Sequence, residues 1–171
     1  MTPNDTGREI FIAGLRNAHA VENQAVSLIK RQLDRIENYP EVASRLQQHL
    51  QETNAQIQRL DDILGRLDES NSTLKDVGGT LIGNMAALGH MFAQDEILKN
   101  SFANFAFENY EIAAYKSLCH LAELTGNSAV VPVLEQTLQE EMNMAKWLDD
   151  HLKDVTSTYL MRSQRDVTAG V

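Results

Sequence analysis

Glu22 stands where an apolar residue belongs. Phe11, Leu15, Ala18, Ala25, Ile29 and Leu33 recur at helical steps, and Glu22 falls in the middle of the face they define. An unpaired carboxylate is costly to bury, so it must be protonated, neutralised or used to bind something. Glu108 and Glu111 repeat the anomaly among Phe102, Phe105, Phe107, Tyr110, Ile112, Tyr115 and Leu118; three residues apart, they share one helix face. Further on, Glu141 lies seven residues from both Leu134 and Leu148, while its neighbour Glu140 points about 100° away around a helix. Inward carboxylates from several helices are the donor set of a dinuclear centre, and oxygen-rich donors suit two divalent ions such as Fe or Mn. The bland alternative is a set of acids at the margin of each stripe, paired with Lys, Tyr or water.

A short repeat bears on the choice between Glu140 and Glu141. Leu46-Gln47-Gln48-His49-Leu50-Gln51-Glu52 resembles Leu134-Glu135-Gln136-Thr137-Leu138-Gln139-Glu140, and nearly the same offset relates Glu22 to Glu111. Two helical hairpins about a pseudo-twofold would set Glu22, Glu52, Glu111 and Glu140 around one centre. Periodicity favours Glu141 instead, so both remain candidates. Glu52 sits at the flank of its leucine stripe. His49, one turn earlier, is nearer the core face as a ligand or a partner to one, with a structural role as the plainer reading. The usual di-iron signature adds Glu-x-x-His on two helices. Here Ala55 follows Glu52 and Asn143 follows Glu140 at that spacing, so both histidines are absent. His19, His90, His120 and His151 lack paired spacing and carry no metal signal.

These residues need long helices to hold them. Apolar spacing predicts a first helix over about 9–37 and a second from Pro40 to near Glu69, through Leu46, Leu50, Thr53, Ile57, Leu60, Leu64 and Leu67. A third runs from about Asp95 to Leu124, stopped by Gly126, and a fourth from Asn127-Ser128 to roughly Val155. Thr73 to Gln94, with Gly78, Gly79, Gly83 and Gly89, reads as a loosely helical crossover packed through small residues. Its glycines mimic a P-loop's outer spacing, but Asn84 and Met85 stand where Lys and Ser/Thr are required. The expected architecture is all-α: a ferritin-like four-helix bundle over 9–160 with a long crossover between helices two and three, an N-terminal tail 1–8 and a polar, frayed C-terminal tail 161–171.

Composition narrows the function classes. The net charge is −9, and Lys30, Arg31 and Arg35 are interleaved with Asp34 and Glu37, which reads as a solvated face. No basic stripe is visible, so nucleic acid and anionic membrane are not expected partners. No apolar run approaches the roughly 20 residues of a membrane helix. Residues 1–8 lack the apolar core of a signal peptide, and the single cysteine, Cys119, excludes an internal disulfide and reads as small apolar filler. A cytoplasmic location is expected.

Several stretches together are similar to the YciE/YciF family of bacterial ferritin-like stress-response proteins, nearer its YciE side. They are Asn38-Tyr39-Pro40-Glu41, His49-Leu50 with Glu52-Thr53 and Gln56-Ile57, Met85-Ala86-Ala87-Leu88-Gly89, Asp95-Glu96-Ile97, Phe107-Glu108 with Glu111-Ile112-Ala113, Glu140-Glu141, and Ala145-Lys146-Trp147-Leu148. The resemblance spans roughly residues 8–165. It implies a ferritin-like fold, a homodimer and a two-metal centre on Glu22, Glu52, Glu108, Glu111 and the Glu140/Glu141 pair, in a protein of stress response. It assigns no reaction. Relatives nearer YciF carry a histidine at the position of Asn54 and an acid at that of Ala145, so this chain departs from them at the site. The rival expectation is a non-catalytic helical structural or interaction protein without bound metal. Iron storage needs a hollow cage, which nothing in the sequence indicates.

Overall fold

Prolines and a glycine set the helix boundaries more sharply than apolar spacing does. The computed structural model describes residues 3–67, 95–165 and 167–171. It contains α1 (Pro3–Leu33), α2 (Pro40–Arg66), α3 (Glu96–Leu124) and α4 (Val131–Gln164), the last preceded by a 3-10 turn at Ser128–Val130, and no strand among the described residues. The chain is a ferritin-like four-helix bundle.

The supposed N-terminal tail is helical from Pro3. Proline suits the first turn of a helix, and Asp5 there complements the helix dipole. At its other end α1 stops at Leu33, short of Glu37, and runs into a turn in which Ile36 N–H reaches Gln32 O at 2.9 Å; Tyr39, before Pro40, then leaves the helical region ahead of α2. Gly126 ends α3 at a φ of 75°, which lets Asn127 N–H reach Ala122 O at 2.8 Å and Gly126 N–H reach Glu123 O at 3.3 Å. Helix α2 is capped at Leu67. The expected crossover at 73–94 lies outside the described residues.

Pairwise contacts fix the arrangement. Arg8 donates to Leu67 O at 2.9 Å, so the start of α1 lies beside the end of α2. Arg35, just past α1, holds Glu96 at the start of α3 with 2.8 and 2.6 Å bonds, and Gln32 and Asn104 exchange amide bonds. Helices α1 and α3 are therefore antiparallel, as are α1–α2 and α3–α4. The end of α2 and the start of α3 consequently sit at opposite ends of the bundle. Arg35, read as part of a solvated face, instead neutralises a buried Glu96.

Two apolar clusters fill the interior. One gathers Phe11, Leu15, Leu60, Leu64, Leu118 and Leu134, and the other Ala25, Ile29, Leu46, Phe107, Met144 and Leu148. By position along every helix, the inward glutamates lie between them. Gly14 lets α1 and α3 approach, since a Cβ there would lie 2.8 Å from Leu118 Cδ2.

The C-terminus departs from expectation. Helix α4 continues past Val155 to Gln164, and the chain then folds back. Tyr39 Oη donates to Ala169 O, Asn38 Nδ2 to Val171 O at 2.6 Å and Ile97 N to Gly170 O at 2.8 Å, with Ala169 buried. The segment is docked, not frayed. At about 1 kcal/mol per buried hydrogen bond, and about 2–4 °C per kcal/mol for a chain of this size, deleting 167–171 should lower Tm by roughly 5–10 °C. Thermal denaturation followed by circular dichroism checks this, and an unchanged Tm would mean that the docked end contributes nothing.

Candidate metal centre

Helix spacing delivers one or two acids from α1, α3 and α4 to the same level. Glu22, Glu108, Glu111 and Glu141 are all buried, with Glu141 wholly so. His49 enters from α2 at 1% exposure and occupies the middle of the group. Its Nε2 lies 3.3 Å from Glu108 Oε1 and 3.7 Å from Glu141 Oε2, and its Nδ1 lies 3.1 Å from Glu52 Oε2. One ligand atom each from His49, Glu108 and Glu141 falls within 4.8 Å of the others.

Hydrogen bonds satisfy only part of this cluster. Tyr115 Oη donates to Glu22 Oε1 at 2.6 Å, and Gln56 Nε2 donates to Glu141 Oε1. Both oxygens of Glu111, together with Glu108 Oε2 and Glu141 Oε2, are buried without a hydrogen-bond partner. Buried polar atoms are nearly always paired, so four orphan oxygens in one place call for a ligand or a proton.

The protonation states follow from burial. Burial pushes the Glu22 carboxyl up to about 7, opposed by the Tyr115 hydrogen bond and the His49 charge. Burial, then the charges of Glu22, Glu141 and Glu108, holds Glu111 well above the usual carboxylate range. Glu141 rises for the same reason, with Glu108 adding to burial and Gln56 opposing. For His49, burial alone would lower the imidazole, but Glu108 and Glu52 outweigh it and raise it to about 9. Glu52 goes the other way: the His49 hydrogen bond, helped by Arg45 and Gln48, brings it to about 2 despite partial burial. Without a cation, Glu22, Glu111 and Glu141 thus favour their protonated forms around an imidazolium.

Glu52 and Glu140 are not in this centre. Each stands at its rim, about one-fifth exposed, and each is held by an arginine. Arg45 Nη1 reaches Glu52 at 3.0 Å, while Arg59 grips both oxygens of Glu140 at 2.8 and 2.7 Å. The repeat had aligned these two acids correctly with one another, since both occupy equivalent outer positions. It misplaced them radially, and the apolar spacing that favoured Glu141 gives the inward residue. His49 is the residue the sequence undervalued. With Thr53, Gln56 and Leu60 it forms a buried line at steps of four and three, as regular as the leucine stripe beside it. Gln56, which binds both Glu140 and Glu141, was missed altogether.

Elsewhere, His19 pairs with Asp61 at 3.1 Å, His120 is exposed beside Glu123, and His151 stacks on Trp147. His90 lies outside the described residues. Cys119 is only half-buried, with burial raising its thiol.

The donor set fits divalent metal. Four carboxyl groups and one imidazole offer hard oxygen donors plus a nitrogen, and the four orphan oxygens accept no hydrogen bond. Glu22, Glu108, Glu111, Glu141 and His49 are the residues that could hold it, with Glu52 orienting His49 from outside.

The family described as "Domain of unknown function (DUF892)" matches residues 6–161. The chain belongs to the DUF892 family. Protein YciF of Escherichia coli (strain K12) is 29% identical over 147 residues, covering 80% of this chain and 84% of YciF. Among solved structures, the protein XCC3681 of Xanthomonas campestris is 31% identical with a TM-score of 0.78, covering 93% of this chain and 99% of that one. YcfI of Rhodopseudomonas palustris, for which a structural role is suggested, is 26% identical with a TM-score of 0.70, covering 84% and 92%. The crystal structure of the E. coli stress protein YciF matches with a TM-score of 0.73 at 24% identity, over 90% and 97%, and shares the DUF892 fold. Among the described residues of this DUF892 member, no helix is long and apolar enough to cross a membrane.

Proposed function

We propose that this DUF892 protein binds divalent metal, up to two ions of Fe or Mn, in the carboxylate–imidazole centre, and that it serves in stress response as a cytoplasmic homodimer of the YciE type. The observation that carries the reading is Glu111: wholly buried, with neither oxygen hydrogen-bonded, and surrounded by Glu22, Glu108 and Glu141. A cation there would offset the burial, and the mutual repulsion, that keep Glu22, Glu111 and Glu141 protonated. A bound redox metal would supply Fe(II) oxidation by oxygen or peroxide. The chain's own part is to present the carboxylates, orient His49 through Glu52 and hold Glu22 through Tyr115. The stress role rests on the likeness to YciF, and the YciE assignment on Asn54 and Ala145, where the nearer YciF relatives differ.

The second reading, a structural protein without metal, is favoured by His49 itself. As an imidazolium it already compensates Glu108 and Glu52. Anaerobic loading with Fe(II) or Mn(II), followed by desalting and elemental analysis, separates the two. Wild type should retain between one and two equivalents, and Glu22→Ala and Glu111→Ala should each lose at least about tenfold in affinity. Equally little metal in all three would leave the structural reading standing. Light scattering should give the mass of a dimer.

A further inference from the structure

The two sides of the bundle offer a cation very different approaches to the centre. On the α2–α4 side, Arg45 and Arg59 stand at the rim, each locked on the nearest acid, Glu52 or Glu140. A cation arriving there meets two guanidinium groups, each already paired with its acid. Between α1 and α3 lies a cavity of about 160 Å³ that opens to the surface. Its inner wall is Glu22 and Glu111, and its outer part is formed by Asn17, Tyr110 and Ser117. Among the described residues, no lysine, arginine or histidine lines it. Glu111, with both oxygens buried and without hydrogen-bond partners, is the group at its end.

We propose that this cavity is the entry port of the centre for small hydrated cations. The inference rests on the metal-binding reading and adds the route. The carboxamide of Asn17 and the hydroxyl of Ser117 are neutral oxygen donors, able to replace part of a cation's water shell at the mouth. Glu22 and Glu111 at the inner end then take the cation in exchange for their protons. The volume suits a partly hydrated ion or a similarly small molecule. The arginines opposite keep the second side closed to positive charge.

The port is tested by rate and by accessibility. Ser117 is exposed, so Ser117→Trp can narrow the mouth without disturbing the core. In stopped-flow uptake of Co(II), read by its d–d absorption, Ser117→Trp should slow entry about tenfold or more while leaving the equilibrium Kd unchanged. Ser44→Leu on the opposite side should change the rate less than twofold. A slowed Ser44→Leu with a normal Ser117→Trp would overturn the proposal. If wild type takes up no Co(II), the metal-binding reading fails, and the port is judged by a second measurement that needs no metal. In a Cys119→Ala background, the buried Ala18 of the cavity wall is replaced by Cys and exposed to methanethiosulfonate reagents. The ethylammonium reagent should label it, and Ser117→Trp should slow that labelling at least about tenfold. No labelling, or labelling unchanged by Ser117→Trp, would refute the port.

Discussion

Replacing Glu111 with leucine is expected to make the metal-free protein more stable while abolishing its metal binding. Glu111 has no hydrogen-bond partner, and its surroundings raise its carboxyl well above the normal range. Buried ionisable groups replaced by apolar residues of similar volume often gain 1–4 kcal/mol, here about 2 at pH 8. That gain corresponds to a Tm increase of roughly 4–8 °C. Most substitutions of fully buried residues destabilise, so the sign is diagnostic: a strained residue kept for binding is the usual site of such a trade-off. Thermal melts of both proteins in chelator, set beside Mn(II) titrations, read both halves. A variant less stable than wild type in chelator would show that Glu111 supports the apo fold.

The pH dependence should reverse when metal is added. In chelator, unfolding free energy should decline as pH rises from about 4.5 towards 9. Glu22 titrates near 7 when folded, against 4.5 for a free carboxyl, so the folded chain holds the extra proton in between and loses that stability as pH rises. Glu111 and Glu141 act in the same direction. His49, raised from 6.5 to about 9, contributes stability that is complete below 6.5 and gone above 9. Only Glu52 opposes, with stability lost as pH falls from 4.5 through about 2. For Glu22 alone the effect is on the order of 3 kcal/mol. Metal displaces these protons, so its affinity climbs with pH, and saturation at about a hundredfold over Kd adds roughly 3 kcal/mol. Urea unfolding at pH 5, 6.5 and 8, with chelator or with anaerobic Mn(II), should give diverging lines. A chelator series that is flat or rises with pH contradicts the assigned protonation states.

Much of this architecture was legible because burial and helix periodicity are coupled. Phe11, Leu15 and Ala18 announced the face of α1, and Glu22 was conspicuous only against them. The same logic chose Glu141 over Glu140. What periodicity lacks is radial depth. Glu52 and Glu140 share a repeat position with a 100° offset from the core, and only Arg45, two turns before Glu52, and Arg59, reaching Glu140 from α2, reveal that they end as rim ion pairs. His49 was masked because a polar residue on a leucine stripe looks like noise, although Thr53 and Gln56 continue its line. The docked C-terminus could not be read at all, since main-chain acceptors such as Ala169 O carry no side-chain signature.

Glu22 comes from α1, His49 from α2, Glu108 and Glu111 from α3, and Glu141 from α4, so neither hairpin alone contains the centre. Each hairpin is joined by a short turn and closes through nearby sequence, which is fast; bringing the pair together requires the long connection and is the slow event. The acidic cluster therefore assembles late, after the rate-limiting barrier. Whatever binds it leaves the folding rate nearly unchanged and acts on the unfolding rate, turning the centre into a clasp whose strength is measured in lifetime.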